Sequence, residues 1–374
     1  MQLRALIAIV MLAVPGLGSA SVLPEDRADV LYHRYEGGGM TIDGPSVLVR
    51  KSFAGKVSVS ANHYVDQVSA ASIDVMTSAS PYTEERKENS LGVDYLSGKA
   101  IYSLSVTEST ENDYEASTVA FGASQDFFGD LTTISLGYAR GTDDIFRTGD
   151  PLFSAEAERQ NFRFGLTQVL TRNWIVSVSH ELVTDEGFLN NPYRSVRYEV
   201  GGSYSFQSER YPNTRTSEAT AWRSAYYLPW RAAVHAEYRD FKDSWGINAH
   251  DWSLALVQPW RDQLELELRY REYSQGNADF YSDLFPFQNA QNFLARDKEL
   301  STFDSSSYGF AVSWEFLRKR YHWLDRLGLR VQVDEYDFDY QDFRDIRVSV
   351  AVPGTEPLYS FDATVTQIMF TAWY

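Results

Sequence analysis

The sequence contains no cysteine. That absence removes disulfide frameworks, thiolate metal sites and thiol chemistry together, so a large core or a closed sheet must supply the stability. Positive charge is scarce as well: 34 Lys and Arg stand against 51 Asp and Glu, a formal net charge of -17. A protein that neutralises phosphates needs clustered Lys and Arg, which argues against a nucleic-acid partner. Beyond the first twenty residues no long apolar run occurs, which excludes a bundle of transmembrane helices. No Pro- or Ser-rich stretch marks a linker, so one continuous architecture is expected.

What is present begins with a leader. "MQLRALIAIVMLAVPGLGSA" carries a basic residue at Arg4, an apolar stretch from Ala5 to Val14 and small residues at Gly18 and Ala20. That order predicts a secretory signal peptide over 1–20, cleaved after Ala20, and a single mature domain over 21–374. The apolar stretch is about half the roughly twenty residues that a membrane-spanning helix requires.

Aromatic residues are abundant, 24 Tyr, 22 Phe and 9 Trp making 15% of the chain, yet mean hydropathy stays negative. A transmembrane β-barrel reconciles the two, because its strands alternate an apolar lipid face with a polar lumen face. In "DQLELELRYREY", from Asp262, Leu264, Leu266, Leu268 and Tyr270 share one face, while Glu265, Glu267, Arg269 and Arg271 share the other. The same period of two runs through "KVSVSANHY", "WIVSVSH", "WRAAVHAEYRD", "RLGLRVQVDEY" and the terminal "TQIMFTAWY".

A soluble β-sandwich alternates too, so further features must decide. Connections switch between short ones ("AGK" at Ala54, "SGK" at Ser97, "FGD" at Phe128, "TRN" at Thr171, "LPW" at Leu228, "WRD" at Trp260) and long polar ones over 67–87, 142–156, 185–213, 275–304 and 340–357. Outer-membrane barrels are built this way, with tight periplasmic turns and long extracellular loops. Aromatic rings gather at the short-turn end, at Phe53, Phe127, Phe128, Trp174, Trp230, Trp260, Trp314, Trp323, Trp373 and Tyr374, where an interfacial girdle belongs. The chain also ends on an aromatic after alternating Ile368, Phe370 and Ala372, as a strand presented to barrel-assembly machinery would. The expectation is an all-β, antiparallel transmembrane barrel of about sixteen strands, with fourteen and eighteen as the neighbouring counts and both termini periplasmic. Segments 194–207 and 343–352 alternate too, and parity assigns them to extracellular hairpin extensions.

The strings "EDRADVLYHRYEGGG", "DGPSVLVRKSF", "VSAASIDVMTSASPYTEER", "DEGFLNNPYRSVRY", "YYLPWRAAVHAEYRDF", "DFYSDLF" and "NFLARDKELSTF" occur in this order along the mature chain. Together they resemble the bacterial family catalogued as domain of unknown function 3570. The resemblance covers Glu25 to Tyr374 and implies an outer-membrane barrel. It also implies partners, because such proteins are encoded beside thioredoxin-like proteins, a small lipoprotein and flavin transferases. Periplasmic redox, lipoprotein or flavoprotein components therefore join outer-membrane lipids and the assembly machinery as expected partners. The family brings no activity with it.

Candidate functional residues fall into three groups. On the lumen face, alternation sets His235 beside Arg231, Glu237 and Arg239, and groups Glu265, Glu267, Arg269 and Arg271 on the next but one strand. Two carboxylates could act as acid and base, but a polar barrel interior requires mixed charges that pair across strands, and pairing is the expectation. In "YHRYEGGGMTIDGP", His33, Arg34, Glu36, Gly37, Gly38, Gly39 and Asp43 form either a rim hairpin of the wall or a plug inside the pore. In "NNPYRSVRY", Asn190, Asn191, Arg194 and Arg197 offer a docking loop.

The six histidines (His33, His63, His180, His235, His250, His322) supply no pair on a single element, so no preformed metal site is expected. Acidic loops at Gly141–Asp150 and Asp334–Asp345 could bind a cation through carboxylates, though neither has EF-hand spacing. No Gly-x-Ser-x-Gly elbow occurs, and no catalytic or cofactor residue is assigned. The leading functional expectation is a channel in the outer membrane for a small polar solute or a partner segment. The alternatives are a non-conducting scaffold for an envelope redox assembly and, last, an outer-membrane enzyme.

Overall fold

A computed structural model describes residues 22–70, 82–321 and 323–374. The expected leader over 1–20 lies outside the described residues. The first nine strands are β1 (Arg27–Gly37), β2 (Met40–Phe53), β3 (Val57–Ala70), β4 (Tyr82–Ser97), β5 (Ala100–Thr110), β6 (Tyr114–Phe127), β7 (Thr132–Phe146), β8 (Ser154–Thr171) and β9 (Trp174–Gly187). After the short β10 (Ser195–Val200) and β11 (Ser203–Ser208) come β12 (Thr214–Tyr227), β13 (Ala233–Asp243), β14 (Asn248–Trp260) and β15 (Leu264–Gln275). The last are β16 (Phe303–Tyr321), β17 (Leu324–Arg344) and β18 (Leu358–Trp373). All except β10 and β11 form one closed antiparallel barrel, in which each strand pairs with its neighbours in sequence and β9 pairs with β12.

Closure is made by β18, which is hydrogen-bonded on both sides: Ile368 stands opposite Val331 of β17 and opposite Tyr32 of β1. Beyond it, the Tyr374 hydroxyl donates to the Arg50 carbonyl of β2 at 3.1 Å, and Lys51 lies 4.8 Å over its ring. A closed sheet has no unpaired edge, which is what a strand protein needs in lipid.

The alternation of the sequence becomes the two faces of the wall. On β17, Val331 and Val333 are exposed on the outside, while Arg330, Gln332 and Asp334 line the lumen. All six short connections fall on one rim. Most of the aromatics expected there are exposed, among them Phe53, Phe128, Trp174, Trp230, Trp260, Trp314 and Trp323. Trp373 departs from that expectation: it lies on the lumen parity of β18, against Gly328 and with Arg326 4.2 Å over its ring.

A second ring, which the sequence reading did not separate, runs round the outside higher up. Trp222 stacks on Tyr238, and Trp252, Tyr270 and Tyr308 form a chain of ring contacts 4.8 to 5.2 Å apart. On β14, eight residues separate Trp252 from Trp260 of the lower ring. At about 3.4 Å per residue and a tilt near 40°, that is roughly 21 Å of height, close to the apolar band of an outer-membrane barrel.

Crossing a bilayer takes about 9–11 residues per strand, but β8, β16 and β17 have 18, 19 and 21. The surplus raises the wall above the lipid on the long-loop side. There β10 and β11 pair with each other as a separate hairpin, as parity required. The other predicted extension fails. Residues 345–357 form turns, in which Arg347 folds back onto Asp345 at 2.7 Å. The alternation of "RVSVAV" has no partner strand there and reflects β-branched composition alone.

Candidate functional site

Sixteen strands enclose a ring roughly 30 Å across, too wide for wall side chains to fill. The lumen is therefore defined by two things: charges on the wall and the chain folded into its mouth.

The wall charges pair across strands. Glu267 accepts from Arg330 at 2.6 Å and lies 3.0 Å from Arg269, which reaches Asp334 at 2.7 Å. Arg271 contacts Asp251 at 3.2 Å, and Glu237 accepts from Arg223 at 2.5 Å. Glu265 and His235 share the lumen face with them. Arg231 does not, since it sits in the β12–β13 turn at φ 71 and points to Asp262 at 3.6 Å.

The opening hairpin adds His33 to the lumen, while its Arg34, Glu36 and Asp43 lie on the parity of the outward Val30, Tyr32, Val47 and Val49. Gly38 and Gly39, at φ 58 and 78, make a two-residue turn between β1 and β2, so this segment stands in the wall. A turn with both central residues at positive φ suits the twist of a hairpin, which explains glycine at both positions. Gly37 lies flat against Ala363, where an added Cβ would come within 2.2 Å. Arg34, Glu36 and Asp43 pair with one another, Arg34 lying 3.0 Å from Glu36 and 3.8 Å from Asp43. His33 faces inward, stacked on Tyr64 at 4.9 Å, with Nε2 at 2.7 Å from the fully buried Asp66. Sequence reading missed Tyr64 and Asp66, because the partners lie on β3, some thirty residues away.

The mouth is occupied. The connection 276–302 folds inward as a cap, with a 3-10 turn at Lys298–Leu300 in which the Glu299 amide donates to the Asp297 carboxylate at 2.9 Å. Its Ala278, Phe280, Tyr281, Ala295 and Leu300 enter one buried cluster with Tyr114 of β6, Ile145 of β7, Trp245, Ile247, Tyr340 of β17 and Tyr359 of β18. Strands β6 and β18 are far apart around the ring, so a core common to both is built across the lumen. Hydrogen bonds fix the cap to its surroundings: the Asp279 amide donates to the Trp245 carbonyl of the β13–β14 connection at 2.8 Å, and Tyr281 Oη donates to the Asp342 carbonyl of β17 at 3.2 Å.

A buried ionic knot ties the cap to the neighbouring loops. Arg197 of β10 is fully buried and donates to Glu356, to the Asp283 carboxylate and, at 2.8 Å, to the Asp283 carbonyl. Arg296 joins the same Asp283 at 2.9 Å and lies 4.4 Å over the Phe343 ring. Arg194 is buried against Asp297, and Asn190 donates to the Glu209 carbonyl at 3.0 Å while accepting from Tyr211. The expected docking loop is thus corrected: its arginines point inward as anchors, since Asp283, Asp297 and Glu356 arrive from other loops.

These surroundings shift the loop groups. Burial alone would raise the Glu356 carboxyl, but the bonds from Arg197 outweigh it and hold it below the usual range. The Arg347 hydrogen bonds do the same for Asp345. Burial, reinforced by the neighbouring Glu209, drives the Tyr211 phenol well above its ordinary value.

Among the described residues, one acidic group gathers carboxylates closely enough to hold an ion. Glu84, Glu111 and Asp113 place oxygens within 4.8 Å of one another. It was not foreseen, and neither acidic loop singled out in the sequence contributes to it. Of the histidines, His63 and His180 lie on the outer face beside Asn89 and Thr220, and His322 lies outside the described residues.

Beneath the cap is a cavity of about 360 Å³, lined from the wall by Arg159, Arg215, Arg239, Phe241 and Tyr273 and from the cap by Glu299 and Leu300.

Comparison with known proteins agrees with this architecture. Residues 72–342 match the family described as protein of unknown function DUF3570. No curated protein matches in sequence. Among solved structures, a bacterial polysaccharide outer membrane secretin is similar at TM-score 0.53 and 8% identity, over 94% of this chain and 100% of that one. OpdK of Pseudomonas aeruginosa, solved with vanillate, is similar at 0.43 and 9%, over 94% and 100%. The CymD monoaromatic hydrocarbon channel is similar at 0.44 and 8%, over 94% and 89%. Identities this low speak to the fold alone, which is that of outer-membrane β-barrels.

Proposed function

The chain belongs to the DUF3570 family, and from the barrel that this family member forms we propose that it is an outer-membrane channel for a small polar solute, closed at its outer mouth by the inward-folded cap. One observation carries the reading: the lumen is wide and lined with charges, yet a single apolar core joins cap residues Phe280 and Leu300 to opposite sides of the wall. A scaffold that never conducts has no need of a polar lumen beneath a closure. A permanently open pore has no need of the closure. Most of the lumen carboxylates and arginines are paired across strands, Glu237, Glu267, Asp251 and Asp334 among them, so the proposal is for transport and not for catalysis. Export through a cleaved leader and insertion by the barrel-assembly machinery belong to the same proposal.

Conductance in planar bilayers tests it. The full chain is expected to show low conductance with rare openings. A variant with 277–301 replaced by a short Gly-Ser linker is expected to conduct steadily. A shortened barrel that migrates as folded and stays silent would sink the channel reading and leave the scaffold.

A further inference from the structure

The cavity beneath the cap holds two opposite charges that do not meet. Its volume, about 360 Å³, lies in the range of small-molecule sites and not of peptide grooves. On the wall, the neighbouring arginines are engaged: Arg159 with Asp185 at 2.5 Å, Arg215 with Asp243 at 2.5 Å, Arg271 with Asp251 at 3.2 Å. Arg239 is different. Among the described residues its guanidinium has no hydrogen bond or close ion pair: the Glu181 carboxylate attracts it only from a distance, and the Phe241 ring lies 5.9 Å away. A half-buried guanidinium without an acceptor is a ready seat for a carboxylate, which it can take in bidentate fashion.

On the cap, Glu299 borders the same cavity. Its Oε1 is buried with no hydrogen-bond partner among the described residues. One oxygen of this carboxylate has thus lost its hydration without return, and an ammonium held by the half-buried carboxylate from the cavity side would offset its charge. Between the two charges the lining is apolar and aromatic, with Tyr211, Trp245, Tyr273 and Leu300. Complementarity therefore asks for a small molecule with an anion at one end, a cation at the other and an apolar body.

We propose that the Arg239–Glu299 cavity binds a zwitterionic, amino-acid-like solute with an apolar or aromatic side chain, its carboxylate on Arg239 and its ammonium on Glu299. A pure anion would leave Glu299 unpaired and repelling. A pure cation would do the same to Arg239. The assignment rests on the channel reading only in calling the ligand a solute; the binding site itself stands on the cavity.

Three probes of one body separate the contributions: L-phenylalanine, the anion N-acetyl-L-phenylalanine and the cation L-phenylalanine methyl ester, titrated calorimetrically into the refolded full chain in detergent. The zwitterion is expected to bind at least tenfold more tightly than either relative. Arg239→Met is expected to bring L-phenylalanine down to the level of the ester, and Glu299→Gln to that of the acetylated acid. Because the wild-type comparison needs no variant, a misfolded mutant would not rescue the proposal. Absence of binding by L-phenylalanine, or equal binding of zwitterion and anion, overturns it. If L-phenylalanine fails to bind while the cap-shortened barrel conducts, this site falls and the channel survives. If it binds while no form conducts, the channel falls and the site survives.

Discussion

Arg197 donates to both carboxylate oxygens of Glu356, at 2.6 and 3.1 Å, across 159 residues of sequence. Both partners are buried, one on the β10–β11 hairpin and the other in the loop before β18. Removing one partner of a buried pair strands the other, at a cost of about 3–5 kcal/mol. Arg197→Met strands Glu356 while Asp283 keeps Arg296, and the cost falls on the cap and not on the barrel, whose ladders do not use either residue. Hydrogen exchange should therefore quicken across 277–302 and 345–357 and stay slow in β1 to β9. Uniform slow exchange in the variant would show that the knot does not hold the cap.

The same pair makes the cap sensitive to acid. The Glu356 carboxyl is held below its ordinary value by Arg197, against the opposing effect of burial, and Asp345 is lowered by Arg347. A carboxyl depressed in the folded state contributes stability that is complete above its unfolded value, about 4.3 for Glu, and is lost as pH falls through the folded value. The cap should be tight from neutral pH down to the unfolded carboxyl value and loosen as pH falls below it. Conductance of the full chain followed from pH 7 to pH 3 is expected to rise in that lower window, and Glu356→Gln should remove most of the step. A rise beginning near pH 6 would point to a different group.

How much of this was legible beforehand follows from the physics of each part. Alternation is local, so Leu264 to Arg271 announced both faces of β15, and the short turns fixed parity for sixteen strands. The hairpin at Gly37–Gly39 was legible as a turn, and only its place in the wall needed the structure. The cap was not legible. Phe280, Leu300 and Trp245 form one core with Tyr340 of β17, but the first three lie in segments without periodicity, where nothing marks inward folding. Arg194 and Arg197 were visible as charges in a loop, and a charged loop reads as solvated. Only the arrival of Asp283, Asp297 and Glu356 from distant segments turns them inward. Trp373 was grouped with the girdle because it lies near the end of the chain, although strict alternation with Phe370 already sets it on the other face.

Ion selectivity follows from the lumen pairs. Glu267 is balanced by Arg269 and Arg330, and Arg269 also serves Asp334. Replacing Arg330 by Gln leaves excess negative potential at this level of the lumen, which focuses cations. Measured on the cap-shortened barrel as reversal potential across a KCl gradient, Arg330→Gln is expected to raise the cation-to-anion permeability ratio by roughly threefold, and Glu267→Gln to lower it by a similar factor. Identical reversal potentials in both variants would place the permeation path away from these residues.

Close backbone approach marks strand glycines that cannot be replaced, and Gly44 is the tightest of them. At Gly44 of β2 an added Cβ would sit 1.9 Å from the Val65 carbonyl oxygen of β3, next to the buried Asp66. Backbone cannot step aside as a flexible side chain can, so Gly44→Ala must push β2 and β3 apart where His33 meets Asp66. Overpacking of this kind costs about 1–3 kcal/mol. Gly122 of β6 is the matched control: its added Cβ would lie 3.6 Å from the Ser103 Cβ, an ordinary contact, and Gly122→Ala should be neutral or slightly stabilising. Urea unfolding in lipid vesicles, followed by tryptophan fluorescence, is expected to shift to lower urea for Gly44→Ala alone. Equal midpoints for the two variants would mean that β2 and β3 are not packed as closely as this contact requires.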